Sequence, residues 1–211
     1  MGTMKVAGPL LLCLLLVACG RPELKEFHPT SVGGQYVKLD GRGQPMGPRE
    51  GPWACVRDTS SGLTWAVKSD DERRHHYSST YRWSGDGTQD QGFSHLRGGP
   101  QGSCGDAAEG GCTTADYIRL TNREGLCGFQ DWRLPSLTEL RTLLAHYRPE
   151  PEPQVCQCFF PRTRRGGYWS ADWDPATGQA RALNFASGEA RAYPLASYFY
   201  VRLVRGPGGS P

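Results

Sequence analysis

Leu137, Leu140 and Leu144 recur at i, i+3 and i+7, a spacing that lays them along one face of a short helix. Ser136 and Glu139 stand at the S-x-x-E spacing of a capping box, in which each side chain satisfies a backbone N–H left without a partner at the helix start. Pro135 suits an extended approach to that cap, and Pro149 sets the far limit of the helix. A second helix is predicted upstream, capped within Thr113 to Asp116, with Tyr117, Ile118 and Leu120 on its apolar side and Gly125 ending it. Elsewhere the period drops to two. Cys55–Arg57 and Leu63–Val67 read as strands joined by a turn over Asp58 to Gly62, with Trp65 and Val67 on a buried face. The last third reads as an antiparallel meander: Tyr168–Asp172, Ala180–Phe185, Glu189–Tyr193 and Tyr198–Val204. In its final strand Val201 and Leu203 face away from Arg202 and Arg205. Residues 69 to 112 are polar and Gly-rich without a period, as in functional or disordered loops. The pattern is that of an α+β domain whose first and last strands can pair.

The N-terminus changes the picture from a bare domain to an exported one. Lys5 precedes an apolar run from Val6 to Val17, broken only by Gly8 and Pro9 and too short for a comfortable membrane span. It ends in Leu16-Val17-Ala18-Cys19, which resembles a bacterial lipobox. Residues 1–18 are therefore expected to be a lipoprotein signal peptide and Cys19 the lipidated N-terminus, since two or three acyl chains anchor firmly. An ordinary secretory signal with an incidental cysteine is the alternative. Gly20 rather than Asp follows Cys19, which points to the outer membrane, facing either the periplasm or the exterior. Residues 19–52 are rich in Gly, Pro and charge and are read as a flexible tether. Residues 53–206 have the size of one domain, and 207–211 form a tail.

The net charge of +3 gives no global basic field, so nucleic acid is not an expected partner. With Cys13 in the signal and Cys19 in the lipobox, six of the eight cysteines remain, and in an exported chain these are read as disulfides. Cys104 and Cys112 bracket a Gly-rich loop and form the first expected pair. For Cys156-Gln157-Cys158 a small strained ring, two free thiols and a re-shuffled pairing are all open. None of the spacings is the C-x2-C pair of a zinc site, so no metal is expected.

Leu126-Cys127-Gly128-Phe129-Gln130-Asp131-Trp132-Arg133-Leu134-Pro135-Ser136-Leu137-Thr138-Glu139-Leu140 resembles the core motif of the C-terminal domain family of the Legionella collagen-like adhesin. Three further segments fit the same family in the same order: Trp53 to Asp58 running to Gly62–Lys68, then Tyr168-Trp169-Ser170, then Tyr200 to Arg205. The resemblance covers about residues 53 to 206. It implies a pair between Cys55 and Cys127, which both sit in family motifs, and it supports the Cys104–Cys112 pair. Two helices embraced by a sheet closed by its terminal strands resemble the C-type-lectin-like architecture. The Trp132–Pro135 and Val201–Gly206 segments are also similar to the sulfatase-modifying, formylglycine-generating enzymes that share it. Those enzymes work through a C-terminal cysteine pair, whereas no cysteine lies beyond Cys158 here. No nucleophile elbow, H-E-x-x-H or phosphate loop is present either. The expectation is a non-catalytic binding domain without a cofactor.

Two cationic runs are the candidate chemistry. Arg162, Arg164 and Arg165 follow Phe159-Phe160-Pro161, and Arg73 and Arg74 precede His75-His76. Guanidinium groups fork well onto sulfate, carboxylate or phosphate. The family's namesake recognises sulfated glycosaminoglycans, so the resemblance implies a sulfated glycan as ligand. The bland reading is a pair of solvated loops that aid solubility. The competing function is a structural or assembly subunit that contacts another envelope protein through the Trp169–Trp173 region, although core packing accounts better for Trp169 itself; Trp53, Trp65, Trp83 and Trp132 are likewise read as core. Oligomeric state is not legible.

Overall fold

A computed structural model describes residues 1–2, 35–70, 74–85, 112–144 and 154–207. The signal segment, Cys13, Cys19, Arg73 and Cys104 lie outside these described residues. Among the described residues no helix is long and apolar enough to cross a membrane.

Both predicted helices start where their caps stand. In α1 (Thr114–Glu124) the Asp116 N–H donates to Thr113 Oγ1 at 3.2 Å and the Thr113 N–H returns to Asp116 Oδ2 at 3.3 Å. Gly125, left-handed at φ 73°, ends the helix. In α2 (Leu137–Thr142) the reciprocal bonds between Ser136 and Glu139 are 3.1 and 2.8 Å. This helix is much shorter than Pro149 would permit. Its buried residues are Leu137 and Leu140, followed by Leu143 at the C-cap, while Leu144 is only partly covered. The Asp172 carboxylate also accepts the Leu137 N–H at 2.6 Å and ties the helix start to the sheet.

Nine strands make two sheets. The first orders β1 (Tyr36–Leu39), β2 (Cys55–Asp58), β3 (Thr64–Ala66) and β9 (Val204–Arg205), all antiparallel. The second orders β4 (Thr80–Arg82), β8 (Tyr198–Tyr200), β5 (Gly167–Asp174), β6 (Gln179–Asn184) and β7 (Ala190–Pro194). It is antiparallel except where β5 and β8 run parallel at Tyr168 and Tyr200. The first sheet is buried on both faces. Alternation sends Cys55 and Ala66 into one apolar cluster with Trp132, Trp169 and Leu203, and Val56 and Trp65 into another with Leu140, Phe160, Tyr168 and Val204. Trp65, Trp132 and Trp169 are almost sealed. Each such ring removes roughly 150–250 Å² from water, or about 4–6 kcal/mol of transfer free energy at ~25 cal/mol per Å². Cys55 and Cys127 form the expected bridge, joining β2 to the short 3-10 turn Leu126–Gly128. Cys156 and Cys158 are bonded to each other. Cys112 is also disulfide-bonded, to a partner outside the described residues.

The structure departs from the sequence reading in four places. The tether ends early, because β1 pairs along its length with β2 and Leu39 is fully buried. Glycine here serves close packing: Gly43 lies at φ 77°, and a Cβ on it would collide with the Cys127 carbonyl. The aperiodic stretch 69–112 contains β4, three residues that are all buried. The final strand is two strands, β8 in one sheet and β9 in the other, linked by Val201–Leu203. β9 pairs with β3, the second strand read from the sequence, and not with the first, Cys55–Arg57, which is β2. With the chain changing sheets there, Arg202 loses the solvent side expected for it and is 0% exposed.

Candidate functional site: a cationic loop on a buried seat

The loop between Phe160 and β5 alternates inward and outward. Arg162, Arg164 and Arg165 are exposed, whereas Thr163 between them is buried. Thr163 Oγ1 donates to the Phe160 carbonyl at 2.6 Å and accepts from Arg202 Nη2 at 2.8 Å. The Arg164 N–H donates to the Tyr168 hydroxyl at 2.9 Å. Arg162 holds a left-handed φ of 60°, unusual for a side-chain-bearing residue and of the kind that surrounding structure must enforce. Its guanidinium pairs with Asp70, an exposed contact that water and salt weaken. The Arg164 guanidinium lies 5.4 Å from the centre of the Tyr77 ring. Asp70 and Tyr77 flank the second cationic run, so the two loops adjoin. The structure nevertheless keeps Arg74 out of the shared surface. Arg74 turns to α1, donating to Glu124 Oε2 at 2.6 Å and to the Leu120 carbonyl at 3.3 Å. His75 bonds Tyr117 Oη through Nδ1 at 2.8 Å and faces Glu124 through Nε2 at 3.4 Å. The hydrogen bond from His75, with Arg74 beside it, holds the Glu124 carboxyl below its usual range.

Beneath the loop lie charges that the sequence reading did not single out. Arg202 Nη1 donates to the Ala66 carbonyl of β3 at 2.9 Å, while its Nη2 holds Thr163. One guanidinium therefore fastens the loop to the first sheet, and its plane lies 5.0 Å from the Phe160 ring centre. Lys68, just past β3, is 3% exposed, with Nζ 5.1 Å from the Tyr117 ring centre and 6.0 Å from that of Tyr81. Burial, and then the nearby Arg202, pull the lysine down to about 7. Burial pushes the Tyr168 hydroxyl up to about 12. The available signal was the context of each cation: Lys68 closes the Trp65/Val67 alternation, and Arg202 sits between Val201 and Leu203. Among the tryptophans read as core, Trp65, Trp83, Trp132 and Trp169 are buried and Trp53 is partly covered. Trp173 is 40% exposed and packs on Trp83 with ring centres 5.4 Å apart.

Fold and site together define a disulfide-linked α+β domain that holds an arginine loop on a buried guanidinium. Residues 54–205 match the Lcl C-terminal domain, and the chain belongs to that family. No curated protein and no solved structure gives a significant match.

Proposed function

We propose that this chain is a non-catalytic, lipid-anchored protein of the bacterial outer membrane whose 161–165 loop binds polyanionic, sulfated glycans. The observation that carries this reading is the inward turn of Thr163. It fixes the backbone and leaves Arg162, Arg164 and Arg165 exposed, with Arg164 over the ring of Tyr77. Guanidinium forks on a rigid loop lose little freedom on meeting a row of sulfates, and Asp70 can be exchanged for a stronger anion. Family membership agrees with the sulfated-glycan recognition that the resemblance implies. A C-type-lectin-like architecture is the reading favoured for the domain, supported by two short helices and a C-terminal segment that closes both sheets. The anchor at Cys19 rests on the lipobox alone.

The test is heparin chromatography of the protein at rising salt. Exposed charge contacts are screened over about 10 Å at 0.1 M salt, so retention should be strong at low salt and fall steeply. A triple Arg162→Ala, Arg164→Ala, Arg165→Ala variant should elute at clearly lower salt with an unchanged melting temperature. Wild type passing through unretained at low salt rules the reading out. One observation favours a second reading, an assembly subunit in the envelope: Trp173 is the large aromatic left exposed among the described residues. Loss of a captured envelope protein on Trp173→Ala, with heparin retention intact, would select it.

A further inference from the structure

We propose that Lys68 and Arg202 together hold one small monovalent inorganic anion of chloride size inside the domain, beneath the arginine loop. Three donors lack an acceptor there. Lys68 Nζ and Arg202 Nε are both buried without a hydrogen-bond partner. The Tyr168 hydroxyl, which accepts from the Arg164 N–H and faces Arg202, has no acceptor for its own proton among the described residues. The two cations belong to one space. The Ala66 carbonyl that accepts from Arg202 lies two residues before Lys68, and the Arg202 charge is felt at Lys68. Tyr117 links them, lying under the Lys68 ammonium and within the field of Arg202.

No carboxylate answers either charge among the described residues: the carboxylates near this region, Glu124 and Asp70, pair with Arg74 and Arg162. An arginine cannot shed its proton, so this buried charge stays. Buried charges in proteins are paired or bind ions, because an uncompensated one is costly in low dielectric. A second like charge in the same region raises that cost, and a single anion shared by both would reverse the sign of both interactions. The walls favour a small, weakly hydrated ion over a carboxylate or phosphate. They are the rings of Tyr81, Tyr117 and Phe160, which offer no further row of donors.

The test exchanges gluconate for chloride at constant ionic strength and slightly acid pH, reading the melting temperature of the full chain beside a Lys68→Met variant. Wild type should gain stability with chloride along a saturating curve, and Lys68→Met should lose that dependence. A wild-type melting temperature indifferent to chloride, or one that rises equally in Lys68→Met, overturns the proposal. Should Lys68→Met fail to fold, wild-type crystals grown in bromide decide the matter. An anomalous peak within hydrogen-bonding reach of Lys68 Nζ and Arg202 Nε supports the site, and a flat map there overturns it. Heparin retention is read on the surface loop, so this site and the proposed function can fail separately.

Discussion

The 161–165 loop has cations on both sides of it, and they differ in kind. Above it, Arg162, Arg164 and Arg165 are exposed, Arg162 paired with Asp70 and Arg164 set over the Tyr77 ring. Below it, Arg202 and Lys68 are sealed among Tyr81, Tyr117, Tyr168 and Phe160. On the proposed function, the same charge is a recognition element in one setting and a part of the framework in the other. Desolvation makes the difference. An exposed ion pair contributes about 0–1 kcal/mol, whereas a buried guanidinium that loses its acceptors costs several times that. Stability and ligand binding should therefore separate along the inside–outside line of this loop.

The largest effect that can break this contrast is the pH dependence of folding. Burial lowers Lys68 from its ordinary value of 10.5 to about 7 in the native state. The unfolded chain then holds a proton that the folded chain lacks throughout that interval. The penalty is complete below about 7 and lifts as pH rises. The buried tyrosines act oppositely once the unfolded chain ionises near 10, because their folded values are raised. In gluconate, urea melts should thus show stability climbing by a few kcal/mol between these limits, each unit being worth about 1.4 kcal/mol. Lys68→Met should flatten the climb, and a wild-type profile already flat would place the ammonium in solvent.

Next in size is the link between the two sets. Thr163→Val keeps the shape but removes the hydroxyl that serves Phe160 and Arg202, leaving two buried polar groups unpaired. A loss of about 1–3 kcal/mol by chemical denaturation is expected. Elution from heparin should also shift to lower salt, although Thr163 touches no ligand. Unchanged elution would mean that the loop needs no seat. Smaller still is Arg74→Met, expected to cost at most about 1 kcal/mol for a partly exposed ion pair with Glu124. Heparin elution should not move, and a shift matching that of the triple variant would return Arg74 to the binding face. Least of all, the triple arginine variant should stay within about 0.5 kcal/mol of wild type in stability.

What the sequence made legible follows the range of the interactions concerned. The helix starts at Thr113 and Ser136 were readable because a capping box is completed within four residues. The β5–β6–β7 meander was readable from alternation and turn glycines. β1 and β4 were not, being four and three residues long and lying in Gly-rich, polar surroundings. Their strand character comes from partners distant in the chain, Cys55–Asp58 for one and Tyr198–Tyr200 for the other. The exposed arginines could be picked out as a charge run, but Arg74 could not be separated from them until α1 supplied Glu124. Lys68 and Arg202 were passed over because alternation normally turns a charge toward water. Only a chain changing sheets between Tyr200 and Val204 encloses both faces of that segment.

That crossing segment has a consequence in time as well as in space. β8 fills an inner place in one sheet, and β9 pairs with β3 in the other, with Trp65 opposite Val204. Neither sheet can be completed until the last few residues of the domain have left the ribosome. Contacts between chain ends this far apart also form late and slowly, since the entropy of closing the loop comes before any reward. A nascent chain of this kind stays unlocked until β8 and β9 are free to pair.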